Sequence, residues 1–207
     1  MLGPQGSGKG TQARLLAAEL GVPVVAPGKM FRQEIARDTA LGRRVAPMIE
    51  RGEMVPNAIT NTMVRERLAQ SDTAGGYILD GYPRDREELE AYDGFAEPFT
   101  HVVLLDLDDA TAVERLAHRW ICICGAPHSD RELTLSQGAE AACAACDGTL
   151  VHRSDDEPDA IRRRLRTYHA ETKPVLVEAR ARGVLVEIDG SGTIDEVFGV
   201  VKNALGL

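Results

Sequence analysis

The chain has no apolar run near the length of a membrane span, and no charged-then-apolar leader opens it. Neither a membrane-inserted nor a secreted protein is expected, and the expected compartment is the cytoplasm. Positive charge is in deficit: a net charge of −8 argues against nucleic acid as a general partner, because such binding is driven by phosphate neutralisation. No internal repeat or low-complexity tract is evident. Cysteines are few, four in two close pairs, and without a secretory leader they read as a metal site before they read as disulfides. What is present is ordinary for a globular protein: 207 residues, 43% apolar and 27% charged. That suffices for one well-cored domain carrying smaller inserts.

The chain is organised around Gly3-Pro4-Gln5-Gly6-Ser7-Gly8-Lys9-Gly10-Thr11, which opens into an apolar helix over Gln12–Leu20. This is a P-loop pattern, G-x-x-x-x-G-K. Its glycines let successive backbone N–H groups approach phosphate oxygens with no Cβ in the way, and the helix N-terminus adds its dipole. Lys9 supplies a mobile point charge. Gly6, Ser7, Gly8, Lys9, Gly10 and Thr11 are thus candidates for binding a nucleotide phosphate. The hydroxyl that usually follows the lysine comes one residue late, at Thr11. Only Met1 and Leu2 precede the loop, whereas a P-loop hangs from the end of a buried parallel strand. Either a strand's worth of residues lies upstream or the sheet lacks a central strand, with the first reading favoured.

Short apolar strands at Val22–Val25, Tyr77–Asp80, His101–Asp106 and Val184–Ile188 alternate with helical spacings. Asn57 and Asp109 are candidate N-caps, and Pro174 is a boundary or kink. Such alternation predicts a parallel α/β sheet covered on both faces. Residues 120–153 lose periodicity and hold every cysteine, as an insert would.

Four segments together resemble the adenylate kinases, of the nucleoside monophosphate kinase group: the loop, Asp80-Gly81-Tyr82-Pro83-Arg84, the pair Arg115 and Arg119, and Arg153-Ser154-Asp155-Asp156 leading to Arg164. The resemblance implies a P-loop kinase-like three-layer α/β/α fold, with its first strand apparently truncated. The core would be 1–25, 57–117 and 155–207, with a helical monophosphate-binding insert at 26–56 and a cysteine-bearing lid at 118–154. It implies a magnesium-dependent enzyme, expected to be a monomer, that passes the γ-phosphoryl group of ATP to AMP. The catalytic set would be Lys9, Arg84, Arg115, Arg119, Arg153 and Arg164, with Arg115 and Arg119 on ATP. Pro27, Arg32, Gly81, Arg84, Glu88, Arg153 and Arg164 would serve the acceptor, and Asp80 would hold magnesium through water. Arginine suits this work because its planar fork bridges phosphate oxygens and stays charged when water is excluded. For each arginine the alternative is a solvated helix face, the reading given to Arg162, Arg163 and Arg166. Asp155 and Asp156 either cap the next helix or hold arginines, capping being the expected role.

The acceptor segment departs from the family. Ala26-Pro27-Gly28-Lys29 stands where Ser-Thr-Gly-Asp is usual, and Glu88 where a glutamine reads adenine. A carboxylate only accepts hydrogen bonds, which suits a base edge with two donors, such as guanine's, better than adenine's. The same chemistry on GMP, and a nucleotide-binding module with little catalysis, are therefore kept as alternatives. Glu88 could equally face solvent beside Glu87 and Glu90.

Cys122, Cys124, Cys143 and Cys146 resemble the metal-bearing lid of many bacterial members, implying structural zinc. Cys122 and Cys124 are one residue closer than that pattern has them, though on an extended strand both sulfurs share a face. His128 in place of one cysteine, or no metal, stays open.

Overall fold

The computed structural model describes residues 1–122, 127–129, 143, 146 and 148–207. Its strands are β1 (Val24–Val25), β2 (Ile78–Leu79), β3 (Val102–Asp106), β4 (Arg119–Cys122), β5 (Pro127–Ser129), β6 (Leu150–His152) and β7 (Leu185–Asp189). Its helices are α1 (Lys9–Leu20), α2 (Pro27–Ala36), α3 (Ala40–Glu50), α4 (Asn57–Leu68), α5 (Arg86–Asp93), α6 (Asp109–Ala117), α7 (Pro158–Thr167), α8 (Lys173–Ala181) and α9 (Ile194–Leu205).

β1 pairs with β2, and β3 with β7, both in parallel. The gap between the two pairs is closed by Met1 and Leu2. The Met1 amino group donates to the Leu79 carbonyl at 2.8 Å, and the Gly81 N–H donates to the Met1 carbonyl at 3.0 Å. On the other side the Leu2 N–H donates to Val103 O at 2.8 Å, and the Leu105 N–H to Leu2 O at 2.9 Å. Two residues therefore do hold the central place from which the P-loop hangs. The order across the sheet is β1, β2, Met1–Leu2, β3, β7.

Helices cover both faces. On one, Ala13, Leu16 and Ala17 of α1 and Val197 and Val201 of α9 bury Met1, Ile78, Val103, Leu105 and Ile188. On the other, Val175 and Ala179 of α8 and Leu89 of α5 pack on Leu2 and Val102. α9 is fixed at its start by a capping box between Thr193 and Glu196. The two caps expected from sequence are corrected. Pro56 takes the cap position of α4, because the Asn57 amide instead donates across to Asp85 and Glu87, each at 3.0 Å. α6 is capped by Asp108, which accepts from the Thr111 N–H at 2.9 Å. Pro174 does lie at a boundary, in the first turn of α8 after a π turn over Tyr168–Thr172.

Two small units project beside the sheet. α2 and α3 pack through Phe31, Val45 and Val55. They cross so closely that a Cβ at Gly42 would lie 2.2 Å from the Glu34 carbonyl oxygen. β5, β4 and β6 form an antiparallel sheet, with Trp120 against a cluster of Cys122, Cys143 and Leu150.

Candidate active site

The P-loop lies over the upper ends of Met1–Leu2 and β3. Gly3 has φ +142°, and a Cβ there would sit 2.3 Å from the Leu105 carbonyl oxygen, so the turn needs glycine. The Lys9 ammonium folds back to donate to the Pro4 carbonyl at 3.1 Å. Burial lowers its pKa to about 7, against the opposing pull of the Asp80 charge. Asp80 ends β2 beside the loop: a Cβ at Gly10 would stand 3.0 Å from its Oδ2. Its Oδ1, Ser7 Oγ and Gln5 Oε1 are buried without a hydrogen-bond partner. Orphaned acceptors at a phosphate loop fit a hydrated cation, and Asp80 is the residue that could hold magnesium through water. Arg115 donates to the carbonyls of Gly190 and Ser191, both at 2.8 Å. This clasps the turn after β7 to α6, beside the P-loop.

A cavity of about 1320 Å³ is lined by Lys9, Arg32, Arg84, Arg115, Arg119, Arg153 and Arg164, among others. These cations come from segments far apart in sequence, and two adjacent carboxylates gather four of them. Asp156, with no side-chain exposure, accepts from Arg119 through both oxygens at 2.6–2.9 Å and from Arg164 at 3.4 Å. Asp155 pairs with Arg153, with Arg164 at 3.1 Å and with Arg32 at 3.9 Å. The capping role expected of these aspartates is thus corrected: Glu157 occupies the N-cap position of α7, with no side-chain cap. Burial pushes the Asp155 carboxyl up, but Arg153, Arg164 and Arg32 outweigh it and hold it at about 2. Burial, with Arg153 as a like-charged neighbour, lowers Arg32 to about 9. Burial likewise lowers Arg164 to about 10. Both stay charged near neutral pH. Arg162 and Arg163 pair outside, with Asp159 and Glu53.

At the insert end, the Arg84 Nε donates to Gly81 O at 2.8 Å, and its Nη1 reaches Met54 Sδ at 3.5 Å. Pro27 is buried at the start of α2, while Lys29 is exposed. Glu88 does not face solvent. It is 1% exposed and lines the cavity, and its Oε2 accepts from the Arg84 N–H at 2.7 Å. Glu87 and Glu90, beside it on α5, are exposed. In the small antiparallel unit, the sulfurs of Cys122, Cys143 and Cys146 lie within 4.8 Å of one another. Thiolates so grouped are a donor set that fits zinc. Cys124 lies outside the described residues, as do residues 123–126 generally.

Sequence reasoning missed the organising role of Asp155 and Asp156 and the reach of Met54. The signal for the first was available: two acids directly follow an arginine and precede an arginine-rich helix.

A parallel α/β core, a P-loop hung from its central strand and one cavity walled with cations define a P-loop protein of the nucleotide kinase fold. The sequence matches the family model for adenylate kinase over residues 1–183. It is 37% identical over 210 residues to the adenylate kinase of Caldanaerobacter subterraneus subsp. tengcongensis, covering 99% of this chain and 94% of that protein. To that of Anaeromyxobacter sp. (strain Fw109-5) it is 40% identical over 211 residues, covering 99% and 97%. To that of Streptomyces griseus subsp. griseus it is 36% identical over 209 residues, covering 99% and 95%. The chain belongs to the adenylate kinase family.

Proposed function

We propose that the chain catalyses the reversible reaction ATP + AMP = 2 ADP. The observation that carries this reading is the single cavity in which Lys9 and six arginines meet. Moving a phosphoryl group between two polyanions is mostly positioning and charge neutralisation, and cations converging from many segments supply both. The P-loop residues Gly6–Thr11 hold the outer phosphates of ATP, with Arg115 and Arg119 beside them. Arg32 and Arg84 clamp the acceptor phosphate, next to Pro27, Gly81 and Glu88. Arg153 and Arg164 stand between the two ends and meet the migrating group.

Asp80 would hold the hydrated magnesium ion, which when bound offsets negative charge on the phosphates. α2 and α3 form the monophosphate-binding insert at 26–56, and β4–β6 belong to the lid at 118–154. The lid's cysteine cluster would hold a structural zinc ion through Cys122, Cys143 and Cys146, with Cys124, outside the described residues, as the expected fourth ligand. Closing such a cover excludes water from the transfer. Neither alternative kept from the sequence is favoured. The relatives are adenylate kinases over nearly their whole length, and the arginine set is too complete for a passive binder.

The test is phosphorylation of AMP, GMP, CMP and UMP side by side with ATP and magnesium. AMP is the expected acceptor. Arg84→Ala is expected to lower kcat/KM for AMP by about 100-fold or more, as loss of an oriented cation does. Preference for another acceptor, or undiminished turnover by the variant, would overturn the assignment.

A further inference from the structure

Glu88 lines the cavity at the acceptor end and is buried there. Its own N–H is capped by Asp85 Oδ1 at 2.8 Å, its Oε2 takes the Arg84 N–H at 2.7 Å, and its carbonyl accepts from the Tyr82 hydroxyl at 3.2 Å. The bond from the Arg84 N–H anchors one oxygen of the carboxyl group. The group presents a fixed edge to the cavity.

That edge has different chemistry in its two protonation states. A carboxylate offers only acceptors, whereas the neutral acid offers one O–H donor and one carbonyl acceptor. Adenine's pairing edge carries an acceptor at N1 and a donor at N6, so a carboxylate sets lone pair against lone pair at N1. We propose that Glu88 reads the base of AMP as its neutral carboxylic acid, donating from Oε1 to N1 and accepting the N6 amino group at Oε2. The Oε2 lone pair not used by Arg84 is then the one that receives N6. No bond to the base is covalent, and the proton stays on Oε1 while AMP is bound. Glu88 is thus a specificity-determining residue that makes AMP affinity depend on pH.

The surroundings favour the neutral form. Burial raises the Glu88 carboxyl to about 7. The hydrogen bond and charge of Arg84 oppose this, and the charges of Asp85 at the start of α5 and of Glu171 in the π turn reinforce it. AMP binding above that pKa must draw a proton from solvent.

This inference rests on the acceptor seat proposed above, and the experiment separates the two. KM for AMP and for ATP is measured from pH 6 to pH 9 in the unmodified protein and in Glu88→Gln, whose amide has the donor and acceptor permanently. The ratio of the two proteins' KM values for AMP is expected to rise about tenfold for each pH unit above 7, with no such rise for ATP. The ratio cancels the titration of AMP itself. A flat ratio, or an equal rise for ATP, overturns the proposal. Calorimetry of AMP binding to the unmodified protein at pH 8, in two buffers of different ionisation enthalpy, gives a reading that no variant can spoil. Uptake approaching one proton per AMP is expected, and no uptake overturns the proposal. Arg32→Ala tests the seat alone. If it leaves KM for AMP unchanged, the seat is wrong. If it raises that KM while the Glu88→Gln ratio stays flat, the seat stands and the base-reading role falls.

Discussion

At the scale of single residues, the empty site keeps its charges in a state that substrate must change. Burial pulls the Lys9 ammonium down to about 7. A polyphosphate beside it restores the charge by Coulomb attraction. Binding of ATP at pH 8 is expected to take up a fraction of a proton that falls to zero near pH 6, where Lys9 is already charged. Calorimetry in buffers of differing ionisation enthalpy measures this, and Lys9→Met is expected to abolish it. Sequence alone singled out Lys9 and six arginines that line the cavity, because phosphate chemistry demands those residue types in a recognisable order. For the anions between them it offered two roles and favoured capping over holding arginines. Asp155 and Asp156 find partners nearby at positions 153 and 164 and far off at 32 and 119, and no local pattern encodes the distant two. Glu88 was named from sequence for the acceptor with solvent exposure as the alternative; it sits one residue from the exposed Glu87, and only packing tells the two apart.

At the scale of elements, alternating strands and helices were readable from periodicity, and their ends less so. The caps of α4 and α6 went to neighbours of the expected residues because Asn57 bonds across to another element and Asp109 pairs with His169 at 2.8 Å. The α2–α3 unit carries its own sharp constraint at Gly42. A methyl group there would meet backbone, with no flexible side chain to give way, so Gly42→Ala must spread the two helices. It is expected to cost about 1–3 kcal/mol in urea unfolding and to raise KM for AMP more than KM for ATP. In the antiparallel unit, Trp120 is the chain's single tryptophan and packs on the thiol cluster. Stripping metal with a strong chelator is expected to shift its emission to longer wavelength while the helical circular dichroism of the core changes little. An unchanged emission spectrum would count against a metal in the lid.

For the molecule as a whole, stability inherits a pH slope from Glu88. Its carboxyl titrates at an ordinary 4.5 when exposed and at about 7 when folded, so over that interval the folded chain binds more protons than the unfolded one. The stability that Glu88 contributes then falls as pH rises from 4.5 through 7 and levels off above. Glu88→Gln is expected to flatten that part of the profile, narrowing the difference in Tm between pH 5 and pH 8 by roughly 3–10 °C for a shift worth about 1–3 kcal/mol. Thermal melts of the two proteins at both pH values measure it.

The aspartate pair has a consequence for the tempo of the catalytic cycle. On the proposed roles, Arg32, Arg119, Arg153 and Arg164 must each be released by a carboxylate before meeting a phosphate, and each departing phosphate is replaced by that same carboxylate. Binding is thereby an exchange of anions and not the filling of a bare positive hole, so product does not leave behind a cluster of unanswered cations. An enzyme whose substrates and products are nearly alike in charge runs in both directions only if neither is held too long. The resident acids keep the grip on each of them temporary.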